Sequence, residues 1–101
     1  MRVRFFAYIR NFTKCAEADV PYQETIGALA RSLCDLYGES LRLKIFPTGV
    51  PGSEGKSPGE EQFGPEIIFL INGRHVAHLG GPAAPLDPND RIDVFPVVAG
   101  G

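Results

Sequence analysis

Ile67-Ile68-Phe69-Leu70-Ile71, followed at once by Asn72-Gly73, constrains this chain more than any other stretch. It is a continuous apolar run of strand length, and a strand apolar on both faces usually lies centrally in its sheet. Asn-Gly is the strongest short hairpin signal, because both residues tolerate positive φ. Arg74 to Leu79 then reads as a short return strand. Its two histidines, His75 and His78, are three apart and so fall on opposite faces of a strand, which does not suit one shared metal ion.

The rest of the chain arranges itself around that hairpin. Residues 3–9 alternate, with Val3, Phe5, Ala7 and Ile9 on one face and Arg4, Phe6, Tyr8 and Arg10 on the other, the period of a strand. Asn11 to Lys14 reads as a turn, and Cys15 to Val20 as a second strand with Glu17 and Asp19 facing solvent. A hairpin is the economical connection between them. After Pro21-Tyr22-Gln23 the period changes. Ile26, Leu29, Ala30, Leu33, Leu36 and Tyr37 form one apolar stripe of an amphipathic helix. Thr25 is placed as its N-cap and Gly38 as the residue that ends it. Gly27 weakens this helix slightly. Cys34 lies at the edge of the stripe.

Leu41 to Phe46 alternates and reads as a short strand or extended element. Residues 47–66 hold five glycines and four prolines. They read as a long surface loop, either disordered or a partner-specific insertion. No Gly-Lys-Ser/Thr follows its glycines, so it is not a phosphate loop. Gly80-Gly81-Pro82 breaks the chain again. Pro85 to Asp90 has the composition of a compact turn, and Arg91 to Phe95 is the last strand. Ile92 and Val94 face one way, and Arg91, Asp93 and Phe95 the other. This order predicts an α+β domain spanning 1–101, a mixed sheet packed on one main helix, with the first and last strands paired in parallel at its centre.

Beyond that strand the sequence runs Phe95-Pro96-Val97-Val98-Ala99-Gly100-Gly101. Glycine has no Cβ, so a Gly-Gly end passes through channels too narrow for side chains. Residues 97–101 are therefore expected to be a flexible tail, with the Gly101 carboxylate open to chemistry. An ordinary frayed terminus would look the same in isolation.

Composition narrows the function classes. A chain of 101 residues builds one modest core and leaves little room for a walled catalytic cavity. A net charge of −2 gives no support for nucleic-acid or anionic-membrane binding. No apolar segment is long enough to cross a bilayer, and the N-terminus lacks the pattern of a secretory signal, so a cytoplasmic location is expected. Cys15 and Cys34 have neither metal-ligand nor redox spacing and are expected to be free thiols. No Ser/His/Asp, Cys/His or paired-carboxylate arrangement stands out, and no metal site or cofactor is expected.

Three stretches taken together resemble one family. Ile71 to Val76, Pro85 to Pro96 and Val98-Ala99-Gly100-Gly101 occur in the order and near the spacing found in the ubiquitin-like sulfur-carrier proteins. Those include the small subunit of molybdopterin synthase and the thiamine sulfur carrier. The sequence departs from their pattern at Val97, where a second proline is frequent, and in its longer 47–66 loop. The resemblance implies a β-grasp fold and a chain that is not itself an enzyme. It implies that an adenylyltransferase of the ubiquitin-activating type joins AMP to Gly101, and that sulfur then converts the carboxylate to a thiocarboxylate. That sulfur would pass to a large synthase subunit or another acceptor enzyme, foremost in molybdopterin (molybdenum or tungsten cofactor) synthesis. Thiamine, cysteine and tRNA thiolation are alternatives. Ala99 and Gly100 would thread the tail, and Phe95, Pro96, Val97 and Val98 would dock the partner. Two other readings keep the fold and change the use: a modifier joined to lysines through Gly101, and an interaction domain without tail chemistry.

Overall fold

The computed structural model describes residues 1–46, 63–64 and 66–97. Five strands form one mixed sheet in the order β2-β1-β5-β3-β4: β1 is Arg2–Phe5, β2 Glu17–Asp19, β3 Ile67–Ile71, β4 Arg74–His75 and β5 Ile92–Pro96. β1 and β5 pair in parallel, and every other pairing is antiparallel. The expected parallel pairing of the first and last strands is thus found at the heart of the sheet. Three helices, α1 (Ile9–Thr13), α2 (Ile26–Tyr37) and α3 (Glu39–Ile45), join the core with the sheet's inner face. Val3, Phe5, Phe69, Ile92 and Val94 from the strands are buried with Ile9, Ile26, Leu29, Leu33, Leu41 and Ile45 from the helices.

The sequence signals for α2 correspond to its observed ends. The Thr25 hydroxyl accepts from the Ala28 N–H at 3.2 Å, and Gly38, at φ +94°, closes the last turn through its N–H to the Cys34 carbonyl. Leu36 departs from the expected stripe and is 59% exposed. It lies about 100° round the helix from Tyr37, at the limit of the face that meets the sheet.

Two elements in the first half of the chain differ from the sequence expectation. The first strand stops at Phe5, because Ala7 takes φ +51° and the chain turns into α1. Ile9 is buried, but from a helix in which Thr13, one turn on, is buried beside it. Lys14, at φ +62°, ends that helix and sends the chain back antiparallel along β1. The β1–β2 connection is therefore helical, and no tight hairpin turn lies between them. Leu41 to Ile45 is also helical. Leu41 and Ile45 are buried four residues apart, whereas Leu43 between them is 50% exposed. An apolar residue at every second position satisfies both periods over so short a span, and packing against α2 selects the helix.

Gly27 has a reason that helix propensity does not supply. A Cβ there would sit 2.8 Å from the Pro82 carbonyl oxygen, where the Gly81–Ala83 turn crosses α2. Gly27→Ala should gain up to about 1 kcal/mol in helix propensity, yet lose about 1–3 kcal/mol to overpacking. Urea unfolding should show a net loss of stability, and a gain would mean that this crossing is loose.

Candidate functional site at the end of the central strand

The geometry of the C-terminal end begins with how β5 is set in place. Asn72 of the hairpin, at φ +51°, donates through Nδ2 to Asp90 Oδ1 at 2.8 Å, and its Oδ1 accepts from the Arg91 N–H at 2.9 Å. Asp90 also accepts from the Asp87 N–H at 2.8 Å, and Asp87 from the Asn89 N–H at 3.1 Å. The Asn-Gly turn and the acidic turn before the last strand are therefore one hydrogen-bonded unit. It fixes the register with which β5 starts beside β3, at Ile71 opposite Ile92.

From there β5 alternates. Ile92 and Val94 enter the core, while Asp93 and Phe95 face the outer side of the sheet. Parallel pairing sets Arg4 opposite Asp93. The Arg4 guanidinium donates to both carboxylate oxygens, from Nε at 2.8 Å and from Nη2 at 3.2 Å. Arg91 Nε lies 3.7 Å from the same carboxylate, whose side chain is only 5% exposed. The hydrogen bond to Asp93, with its charge, raises the Arg4 pKa further above its ordinary value. The guanidinium also lies over the Phe6 ring, 5.3 Å from its centroid. Phe6 stacks on Phe95, with centroids 4.2 Å apart and planes 6° from parallel. Ile68 and Leu70, opposite Phe95 and Asp93 on β3, extend this surface and are only half-buried.

The run Ile67–Ile71 is thus apolar on both faces without being buried on both. Ile67, Phe69 and Ile71 enter the core, and Ile68 and Leu70 line an outer face with no layer over it among the described residues. The strand is interior to the sheet, paired with β5 on one side and β4 on the other, while β5 holds the centre, where the expected pairing of the first and last strands puts it.

The expected docking residues divide accordingly. Phe95 is on the open face, and Pro96 and Val97 continue from it, all half-buried. Pro96 lies past the end of the β1 pairing, where no backbone donor is required. The Val97 N–H donates to the Glu66 carbonyl at 2.8 Å and prolongs the β3–β5 ladder by one bond. Val98, Ala99, Gly100 and Gly101 lie outside the described residues, as does nearly all of the expected 47–66 loop. Phe6, Ile68, Leu70 and the Arg4–Asp93 pair are members of this surface that sequence reading did not assemble. Their signal was present: Arg4 and Phe6 alternate outward on the first strand, Asp93 and Phe95 on the last, and parallel pairing of the two brings them together.

Elsewhere the histidines correct an expectation. The return strand stops at His75, and a 3₁₀ turn, Val76–His78, follows. His75 Nδ1 accepts from the Ala77 N–H at 3.0 Å, and the two imidazoles meet edge to face at 5.8 Å, on one side of the chain and not on opposite faces. Among the described residues no three His, Cys, Asp or Glu side chains group as metal ligands. Cys15 and Cys34 form no disulfide, and no helix among the described residues is long and apolar enough to cross a membrane.

A five-stranded mixed sheet with this strand order, a principal helix across one face and the C-terminal strand in the centre defines a ubiquitin-like β-grasp protein. The chain belongs to the ThiS family, whose model matches residues 3–101. That family comprises small ubiquitin-like sulfur carriers and modifiers. Small archaeal modifier protein 3 of Haloferax volcanii is 34% identical over 103 residues, covering 100% of this chain and 98% of that protein. The solution structure of small archaeal modifier protein 1 from Methanosarcina acetivorans superposes with a TM-score of 0.80 at 31% identity, over 99% of this chain and 94% of that one. CysO of Mycobacterium tuberculosis shares the fold, with a TM-score of 0.71 at 20% identity over 96% of this chain and 98% of its own.

The Arg4–Asp93 pair should hold the central strands more than it appears to from outside. Asp93→Ala leaves Arg4 and Arg91 facing each other without their acceptor, and losing hydrogen bonds to a charged group costs about 1.5–3 kcal/mol. Chemical denaturation should record a loss of that size, whereas Glu17→Ala, at an exposed ion pair with Arg2, should cost about 0–1 kcal/mol.

Proposed function

We propose that this protein carries sulfur on its C-terminal carboxylate. The single observation that carries the reading is the placement of the strand leading to Gly100-Gly101. β5 is held on both sides at the sheet centre, and among the described residues its last ladder bond is at Val97. The four residues that follow reach about 13–14 Å when extended. That suffices to enter another protein's active site while the globular part stays outside.

The chemistry of the end agrees with this use. A carboxylate is a poor electrophile, because its leaving group would be oxide. Attack of the Gly101 carboxylate on the α-phosphate of ATP forms an acyl adenylate and releases pyrophosphate. Hydrosulfide then adds to the acyl carbon, AMP leaves, and the product is a thiocarboxylate. The first step belongs to an adenylyltransferase of the ubiquitin-activating type. The chain itself supplies the reacting group and the surface by which it is held. Ala99 and Gly100 thread the channel, and Phe95, Pro96, Val97 and Val98, with Phe6, form the docking side. The receiving pathway we favour is molybdopterin synthesis, through a large synthase subunit.

A second reading is favoured by one finding: the full-length relative at 34% identity is a modifier protein. Conjugation of Gly101 to lysines uses the same adenylate, with an amine in place of sulfide at the acyl carbon.

Intact mass after incubation with an activating enzyme, ATP and sulfide should rise by the exchange of one oxygen for one sulfur. The gain should vanish when Gly101 is deleted or when a residue is added after it. An unchanged mass, with an enzyme competent on another carrier, would sink sulfur carriage, and amide-linked adducts to lysine in its place would establish the modifier reading.

A further inference from the structure

On the outer face of the sheet the guanidiniums outnumber the carboxylates that pair with them. Register sets Arg2 opposite Asp19 and Arg4 opposite Glu17 across β1 and β2, and Arg4 opposite Asp93 across β1 and β5. Glu17 is taken up by Arg2 at 2.9 Å, and Asp19 lies 3.2 Å from the Met1 ammonium. Asp93 is left to serve two cations, Arg4 and Arg91. The Arg91 side chain is 55% exposed, and its 3.7 Å approach to Asp93 is too long for a hydrogen bond.

Arg4 is held more firmly, and only on one edge. Its Nε and one Nη2 N–H donate to the two oxygens of Asp93. The other edge, Nη1 with the second Nη2 N–H, has no acceptor among the described residues. A carboxylate that is 5% exposed and the Phe6 ring, 5.3 Å away, fix the plane of the group, yet the Arg4 side chain is 40% exposed. The result is a guanidinium fork that is already oriented and still reaches the surface.

Covering the docking side has a consequence for this fork. Phe6 stacks on Phe95, and Arg4 lies over Phe6. A protein that buries the stack also takes Arg4 out of water, and donors desolvated without acceptors are costly. Such a protein must therefore bring an acceptor. The two N–H groups of the outer edge match the two oxygens of a carboxylate, and a fork fixed in advance loses little freedom on pairing. Arg91, beside it, favours an anion over a neutral carbonyl.

We propose that the activating enzyme seats an aspartate or glutamate carboxylate of its own on the outer edge of Arg4, with Arg91 as the second cation. This rests on the proposed activation of Gly101. The enzyme is assigned as the occupant because activation is the first step in which the tail is held. A protein that receives the chain past Val97 meets Phe95 two residues earlier, and Arg4 through Phe6. Its carboxylate complements a locally cationic face on a chain whose net charge is −2.

Steady-state adenylation of the full chain tests the assignment. Arg4→Lys keeps a cation beside Asp93 but removes the fork, and should raise KM about tenfold with kcat unchanged, the signature of lost docking. Arg91→Gln should raise KM about threefold and flatten its dependence on salt, as loss of a rim charge does. Arg74→Gln, an equal change in net charge at an exposed position on β4, should leave KM as it is. Urea unfolding shows whether Arg4→Lys is folded under assay conditions, and if it is not, Arg91→Gln decides alone. Wild-type KM in the folded variants, or an equal rise for Arg74→Gln, overturns the carboxylate contact and leaves sulfur carriage standing. Failure of the wild-type chain to be adenylated by an enzyme competent on another carrier is a different result, and removes the proposed function along with this inference.

Discussion

The parallel pairing of β1 with β5 is the constraint on which the other elements depend. It joins residues about 90 positions apart in the chain, with Val3 opposite Ile92 and Phe5 opposite Val94. Parallel neighbours need a long crossover, and everything between these strands serves as one. α2 and α3 supply its buried helical layer, and β3 returns antiparallel to close the far side of β5. On the inner face the pairing is sealed by apolar burial. On the outer face Arg4 and Asp93 clamp it with two hydrogen bonds between opposite charges. A carboxylate as buried as Asp93 is tolerable only because it is paired, and the observed register is the one that sets Arg4 opposite it.

The same pairing also divides the sheet into two unlike faces. The helices cover the face that holds Phe5, Phe69 and Val94, and among the described residues no second layer lies over the other. Phe6, Phe95, Ile68 and Leu70 are left half-buried on the other side. The face is kept compact by the Phe6–Phe95 stack and edged by charge, through Arg4 over Phe6 and the Arg2–Glu17 pair between β1 and β2. An apolar surface with a charged border is a form in which partner-binding faces remain compatible with solution.

What sequence conveyed depended on whether the local signal was unique. Thr25, Gly38 and the stripe from Ile26 to Tyr37 are consistent with only one element, and α2 has the ends they specify. Asn72-Gly73 and Pro85 to Asp90 were legible as turns, but not as one network, because the bond from Asn72 to Asp90 is a contact and periodicity does not report contacts. Leu41, Leu43 and Ile45 satisfied two periods at once, and only packing decided between them. Residues 3–9 misled for a different reason: the apolar alternation continues through Ala7, whose positive φ has no signature in a residue that rarely adopts it. At the candidate site, Phe95, Pro96 and Val97 could be picked out from the tail they precede. Phe6, Ile68 and Leu70 could not, since their role follows from the face left uncovered.

A Gly-Gly end explains access to a narrow channel, but it also implies that the fold must contribute more than a tether. Fixing the backbone of one residue costs about 1–2 kcal/mol, so ordering the four residues after Val97 inside a partner costs about 4–8 kcal/mol. Glycine, with the most freedom to lose, is at the upper end of that range. The tail offers few side-chain atoms in return, because those atoms are what the channel excludes. Burial of roughly 300 Å² of apolar surface contributes about 7 kcal/mol, an amount the tail lacks and a docked sheet face supplies. The proposed use therefore separates reach from affinity. The residues past Val97 would provide reach at an entropic cost, and the surface around Phe95, held by the Arg4–Asp93 clamp, would provide the compensating burial. An end of this kind on a fold with no exposed apolar face would enter a channel too rarely to be used, so the proposed use calls on the central strand and its terminus together.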